Sequence, residues 1–213
     1  MSAAARRTIV KVCGITRRED AQLALECGAD WLGFIVAAGG PREIGAEAMA
    51  RIMAALPGAT GVAVLAEVTP DEALELGTLA RATRLQIHRV DPSGWPADFP
   101  LPCAFVTGVD ADGLARGPLA GEPHLIHLDT AHATLTGGTG RTFPWAAART
   151  LSAGRDFLLA GGLDGTNVAA AIAAAGPLGV DACSRLESGV GRKDAARVRA
   201  FVEAAHGAAV RAD

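Results

Sequence analysis

The chain has 213 residues, of which 50% are hydrophobic and 20% charged, and its formal net charge is -3 at pH 7. This composition indicates a globular protein with one sizeable core, and the small negative charge gives no reason to expect a nucleic-acid partner. Arg6 and Arg7 are not followed by an apolar segment, and the longest apolar run, 168–180, is too short to cross a bilayer. We therefore expect a cytoplasmic protein without a membrane partner, folded as one domain over 1–213.

Short β-branched apolar runs alternate with Ala- and Leu-rich segments of helical spacing. The pattern predicts strands at 8–13, 31–36, 60–65, 85–88, 103–106, 124–128, 157–159 and 178–181. It predicts helices at 17–27, 46–56, 70–80, 144–151, 166–175 and 194–205, a short or degenerate helix within 91–102 and a weak one near 111–115.

Eight units of strand followed by helix within one domain predict a closed parallel (β/α)8 barrel, the TIM barrel. An open sheet of eight strands would leave unprotected edges, which a closed barrel does not have. A flavodoxin-like open sheet is the alternative fold.

Reactive groups of such barrels gather where the strands end. The predicted strand ends carry Cys13, the 39–42 loop with Arg42, His88, Asp129, Gly161-Gly162 and Ser184-Arg185. A thiolate at position 13 is a competent base for a carbon acid if positive charge lowers its pKa, and Lys11 and Arg42 are the candidates to supply that charge. A carboxylic acid at position 129 requires partial desolvation, which the 130–142 loop would give. Alternatively, the cysteine is a small buried hydrophobe and the aspartate a turn residue.

Glycine-rich turns after the seventh and eighth strands are typical phosphate sites of these barrels. Backbone N–H groups approach an anion there, and a short helix adds its positive end. Gly161, Gly162 and Ser184 fit this role, although the glycines also suit tight turns alone.

Histidines around the sixth strand suggest a metal site that strand geometry disfavours. His124 points to the opposite face from His127 and Asp129, and His132 lies beyond the strand, so we expect no metal. His127 is expected one layer below Asp129. The Gly137–Gly140 segment lacks the spacing of a dinucleotide fingerprint, and the four cysteines lack the C-x-x-C pairs of a zinc ribbon.

Several longer segments form a specific pattern: Lys11-Val-Cys-Gly-Ile-Thr-Arg17 with Glu19-Asp20, Gly28-Ala-Asp-Trp-Leu-Gly-Phe34, Pro41-Arg42, Leu85-Gln-Ile-His88, Leu128-Asp-Thr130 with Gly137-Gly-Thr-Gly-Arg-Thr-Phe143, Leu159-Ala-Gly-Gly-Leu163 with Asn167-Val168, and Val180-Asp181 with Ser184, Glu187 and Lys193-Asp194. In these segments, over nearly its whole length, the chain resembles the phosphoribosylanthranilate isomerases of tryptophan biosynthesis.

The resemblance implies an isomerase of the aldose–ketose type that performs an Amadori rearrangement of a phosphosugar without a cofactor. Asp129 would be the general acid that opens the ribose ring, and Cys13 the base that removes the proton from C2. Arg42 would hold the anthranilate carboxylate, and the turns at Gly161-Gly162 and Ser184 the phosphate. Members of this family occur as monomers and homodimers.

The binding loops depart from the family pattern in the segments 38–42, 62–66, 88–89 and 183–187. His88 and Arg185 are expected to contact the substrate, but Arg185 replaces a glycine of the phosphate loop. Its guanidinium either adds a bidentate contact to the phosphate or fills the site and leaves room for a smaller anion. A related enzyme that uses Cys13 and Asp129 on another substrate, and a barrel that binds without catalysis, are the alternative functions.

Overall fold

The computed structural model describes residues 7–131 and 143–208, in which eight parallel strands close into a barrel in sequence order. The strands are β1 (Ile9–Val12), β2 (Trp31–Ala37), β3 (Thr60–Ala66), β4 (Arg84–His88), β5 (Cys103–Val109), β6 (Leu125–Thr130), β7 (Phe157–Leu159) and β8 (Gly179–Ala182). The helices are α1 (Arg18–Glu26), α2 (Ala46–Ala54), α3 (Pro70–Leu79), α4 (Trp145–Ser152), α5 (Val168–Ala175) and α6 (Ala195–Gly207). β1 closes the barrel on β8, with Ile9 opposite Gly179 and Val12 opposite Ala182.

The predicted TIM barrel is thus confirmed, and the helices begin and end where local chemistry directs. Thr69 and Glu72 form a reciprocal capping box at the start of α3, next to Pro70 in the first turn. Gly28, which follows α1, has a φ of 97°, a conformation that favours glycine after a helix. No helix in the described part of the chain is long and apolar enough to cross a membrane.

The fourth and fifth units lack full helices. Only a 3-10 turn, Pro92–Gly94, lies between β4 and β5, as the proline-rich sequence predicted. The weak helix expected near 111–115 is wrong. The carboxylate of Asp110 accepts the backbone N–H groups of Asp112 and Leu114, and Gly113 adopts a φ of 81°. Such side-chain bonds compete with helix formation, so the segment forms a turn.

A small hairpin that the sequence analysis did not predict follows the eighth strand. A 3-10 turn, Ser184–Leu186, leads into β9 (Glu187–Gly189), which pairs with β10 (Arg192–Lys193). The hairpin brings Glu187 and Lys193 to the carboxyl-terminal end of the barrel.

Alternate residues of each strand face the barrel interior, where they form layers of different chemistry. An apolar cluster at the amino-terminal end comprises Trp31, Val62, Ala104 and Leu158. Charged and polar side chains occupy the next layer and are buried: Lys11, Gln86, His127 and Asp181. The outward residues pack under the helices, where full burial of one side chain such as Leu32 or Phe34 contributes roughly 1.5–3 kcal/mol.

Candidate active site

A cavity of about 230 Å³ opens at the carboxyl ends of the strands. All predicted site residues lie in the described part of the chain, and those that line the cavity are Cys13, His88, Asp129, Gly161, Gly162, Ser184 and Arg185. Arg42 is not among the lining residues. A larger cavity of about 470 Å³ lies at the opposite end, around Trp31 and Arg84. We assign the site to the smaller cavity because it holds the acid, the thiol and the glycine turns together.

Cys13 directly follows β1 and is 7% exposed. Its backbone N–H donates to the carbonyl of Ala182 at 2.9 Å, which continues the pairing of β1 with β8. A side chain at Gly33 would place its Cβ 2.7 Å from Cys13 Sγ and 2.9 Å from Lys11 Nζ. The absence of a side chain at Gly33 therefore leaves the space that both the thiol and the ammonium group occupy.

The environment of Cys13 favours its thiolate. A hydrogen bond with the Cys183 thiol is the main cause that lowers the pKa of Cys13 to about 7. Burial acts in the opposite direction, as does Asp181, while the positive charge of Lys11 lowers the pKa further. Burial instead raises the pKa of Cys103 to about 12. Among the four thiols, Cys13 is thus the one prepared to act as a base near neutral pH.

Sequence reasoning did not include Cys183 among the site residues. It lies beside Cys13 because β1 and β8 are neighbours in the closed barrel. The bond to Cys13, together with burial, raises the pKa of Cys183 well above its usual range. The available signal was positional: a second cysteine at the last inward position of the strand that closes the barrel.

Lys11, one of the two charges expected near Cys13, lies fully buried below it. Its ammonium Nζ donates to Asp181 Oδ2 at 2.7 Å. Burial alone would lower the pKa of Lys11, but the charges of Asp181 and Cys13 outweigh that effect and raise it. The ammonium is therefore a permanent positive charge beneath the thiol.

Two histidines at the site are neutral. Burial, followed by the neighbouring His127 and the charge of Lys11, lowers the pKa of His88 to about 3. His88 Nε2 lies 2.8 Å from the Gln86 side-chain nitrogen, which fixes the ring at the cavity wall. His127 is fully buried in the layer below, and burial lowers its pKa well below the usual range.

Asp129 lies on β6, opposite Gly108 of β5, and its half-buried side chain lines the cavity. The acid therefore enters from the side of the barrel across from β1. The Gly-rich loop was expected to cover Asp129. Its residues 132–142, which include His132 and the Gly137–Gly140 segment, lie outside the described part of the chain.

Arg42 lies at the rim of the barrel and is held by the unpredicted hairpin. Its Nε donates to Glu187 Oε1 at 2.8 Å and its Nη2 to Glu187 Oε2 at 2.8 Å, so Nη1 is in neither bond. Lys193 Nζ donates to the same carboxylate at 3.0 Å. Burial alone would raise the pKa of Glu187. The hydrogen bonds from Arg42 and Lys193 outweigh burial, so the pKa of Glu187 is lowered.

The two turns predicted to bind an anion border the same cavity. Gly161 and Gly162 have φ values of 95° and 64°, which favour glycine. The Asn167 side chain donates to the carbonyl of Gly162 at 2.9 Å and holds this turn. Ser184 opens the 3-10 turn that follows β8, so residues from the ends of two neighbouring strands line one space.

The Arg185 side chain is paired with an acid. Its Nη1 donates to Asp164 Oδ2 at 2.6 Å. Burial alone would raise the pKa of Asp164. Hydrogen bonds from Thr166 and Arg185 outweigh burial, so the pKa of Asp164 is lowered. The contact holds the guanidinium at the edge of the cavity, beside the two turns.

No group of three or more His, Cys, Asp or Glu side chains is arranged to hold a metal ion within residues 7–131 and 143–208. What the described site provides is a thiol with a lowered pKa, a carboxyl group and the two turns that were predicted to bind an anion. Such a set of groups is suited to proton transfer to and from a substrate that carries negative charge.

Comparison with known proteins decides the family. A family model described as N-(5'phosphoribosyl)anthranilate (PRA) isomerase matches residues 10–204. The chain belongs to the PRA isomerase family. It is 37% identical to the N-(5'-phosphoribosyl)anthranilate isomerase of Rubrobacter xylanophilus, over 92% of this chain and 98% of that protein. The resemblance predicted from the sequence is confirmed.

Solved structures agree with this assignment. The phosphoribosyl anthranilate isomerase of Thermus thermophilus superposes with a TM-score of 0.78 at 34% identity, and covers 92% of this chain and 98% of its own. A second PRA isomerase, at 27% identity, has a TM-score of 0.75 and covers 94% of this chain and 99% of its own. That protein was solved in complex with reduced 1-(o-carboxyphenylamino)-1-deoxyribulose 5-phosphate.

Proposed function

We propose that this PRA isomerase converts N-(5'-phosphoribosyl)anthranilate to the 1-deoxyribulose 5-phosphate aminoketose with Asp129 as general acid and Cys13 as general base. The observation that carries the assignment is that a thiol with a pKa of about 7 and a half-buried carboxyl group from different strands face one cavity. A reaction that needs one proton donor and one acceptor near neutral pH requires such a pair.

The reaction begins at the ribose ring. Asp129 donates a proton to the ring oxygen, the bond from that oxygen to C1 breaks, and the nitrogen lone pair forms a Schiff base. The Cys13 thiolate then removes the proton from C2, and the electron pair of that C–H bond forms the enolamine. Tautomerisation of the enolamine gives the ketone. Neutral His88 lines the cavity without competing for either proton.

The substrate carries an anionic group at each end, and the site has a candidate binding group for each. Arg42 directs its Nη1, which is outside both bonds to Glu187, to the anthranilate carboxylate. The turns at Gly161-Gly162 and Ser184 hold the phosphate through backbone N–H groups. Arg185, oriented by Asp164, adds its charge at the edge of that site. The relative solved with a bound carboxyphenylamino ribulose phosphate carries both anions on its ligand.

Growth without tryptophan tests the proposal in a cell. The wild-type chain should restore growth to a tryptophan auxotroph that lacks the isomerase, and Asp129→Asn, expressed to the same level, should not. Failure of the folded wild-type protein to restore growth would contradict the substrate assignment. The cytoplasmic location and the monomeric or homodimeric state stay predictions.

A further inference from the structure

Two cysteines lie side by side where the first and last strands of the barrel meet. Val12 is opposite Ala182, and Cys13 N–H donates to the Ala182 carbonyl at 2.9 Å. The next residues, Cys13 and Cys183, therefore sit on adjacent strands. Both line the cavity, and the two thiols are close enough for each to shift the pKa of the other.

Both sulfur atoms rest against glycine backbone. A Cβ at Gly14 would lie 2.5 Å from Cys183 Sγ, and a Cβ at Gly33 would lie 2.7 Å from Cys13 Sγ. Any larger residue at either position would displace a sulfur, because real Cβ atoms do not approach other atoms so closely. The glycines thus leave the space that the two sulfur atoms occupy.

The charged groups around Cys13 favour a negative sulfur. Lys11 lies two residues before Cys13, and its Nζ and the Cys13 sulfur lie 2.9 Å and 2.7 Å from the position that a Cβ at Gly33 would take. Asp181 on β8 opposes the charge but is itself bonded to Lys11. Across the cavity, His88 is neutral, and Asp129 faces the space from β6. The ammonium group and the second thiol therefore both lie near Cys13.

The charged groups around Cys183 are engaged elsewhere. Arg42 and Lys193 both lie near this thiol, and both donate to Glu187. Lys193 Nζ also donates to the Cys183 carbonyl at 3.1 Å. Because Cys13 is the proposed base, the negative charge of the pair is assigned to Cys13 and the proton to Cys183.

We propose that Cys183 is a positioning residue of the isomerase: it donates its S–H to Cys13, keeps that sulfur as a thiolate and aims it at the substrate. The inference rests on the proposed role of Cys13 as the base. During the reaction the C2 proton moves to Cys13, while Cys183 keeps its own proton and contributes only the hydrogen bond.

Alkylation of Cys13 tests this without any substrate. Iodoacetamide labelling is followed by mass spectrometry of the tryptic peptide 12–17 between pH 5.5 and about 9.5, a range that spans the usual and lowered thiol pKa values. Cys183→Ala and Cys183→Val should lower the labelling rate at pH 6 about tenfold, since less of Cys13 is thiolate. Cys183→Ser, which keeps a donor, should stay within about threefold of the parent. Cys27→Ser, at the residue that follows helix α1, is the matched control and should change nothing.

The pH profile of turnover separates this role from packing. In Cys183→Ala the acidic limb of kcat/KM should move up by about one pH unit with little change in KM, and Cys183→Ser should restore the parent profile. The inference would be overturned if neither the labelling rate of Cys13 nor the pH profile of kcat/KM depended on residue 183. It would also be overturned if Cys183→Ser behaved like Cys183→Ala. If labelling depends on Cys183 but the parent does not turn over phosphoribosylanthranilate, the substrate is wrong and the thiol pair stands.

Discussion

Lys11 and Asp181 form an ion pair inside the barrel, with Nζ 2.7 Å from Oδ2 and the two side chains 0% and 6% exposed. They face each other in the register of β1 with β8, the pair of strands that closes the barrel. Because the pair lies directly below Cys13, one contact contributes both to the closure of the barrel and to the charge around the thiol that we propose as the base.

Lys11→Met should destabilise the fold because it leaves Asp181 charged and buried without its partner. We expect the free energy of unfolding to fall by about 3–5 kcal/mol in urea denaturation. Arg51→Met is the control: Arg51 and Glu47 form an exposed pair at 3.9 Å on α2, and its loss should cost less than about 1 kcal/mol. Equal losses for the two variants would show that the internal pair has no special role.

The pH dependence of kcat/KM should show an acidic limb near pH 7. The pKa of Cys13 is lowered to about 7, so the base is in its thiolate form above that pH and protonated below it. Activity should therefore fall about tenfold for each pH unit below the limb. A kcat/KM that stays constant down to pH 5 would contradict the assignment of Cys13 as base.

Gly33→Ala should impair both the thiol and the ammonium group. The new methyl group would lie 2.7 Å from Cys13 Sγ and 2.9 Å from Lys11 Nζ. We expect a loss of roughly 1–3 kcal/mol of stability, measured by urea denaturation, and a clear loss of kcat because Cys13 is displaced. Gly94→Ala is the matched control, since nothing lies within 4 Å of its Cβ position. Equal activity in the two variants would be inconsistent with the close contact.

Arg185→Ala should weaken substrate binding more than it slows the chemical step. A phosphate contact made equally in the ground and transition states changes KM rather than kcat, and we expect KM to rise about tenfold. Asp164→Asn removes the acid that holds the guanidinium and keeps the side chain's shape, so KM should change less. A lower KM in Arg185→Ala would instead mean that the guanidinium fills the phosphate site.

The sequence predicted the barrel and the cavity residues for a physical reason. Each strand is a short apolar run followed by a turn, and in a parallel barrel every strand end reaches the same mouth. What it could not give is which side chains touch across that mouth. Cys13 and Cys183 are distant in the chain and meet only because β1 pairs with β8 in a particular register.

The ion pairs at the rim were unpredictable for a similar reason. Arg42 meets Glu187 because the hairpin of β9 and β10 folds back over the barrel, and that hairpin is too short to leave a periodic signal. The fifth helix is absent because the Asp110 side chain forms hydrogen bonds that favour a turn. The periodicity of the sequence gives no sign of these bonds. The apolar residues near 111–115 do have helical spacing, but the segment forms a turn because of its local hydrogen bonds.

The most direct test is the loss of phosphoribosylanthranilate fluorescence, with the substrate generated in situ, in the wild-type protein, Asp129→Asn and Cys13→Ala. The account predicts rapid turnover by the wild type and a decrease of at least about a hundredfold in each variant, as expected for loss of a general acid or base. No turnover by the folded wild-type protein, or activity that survives either substitution, would contradict it.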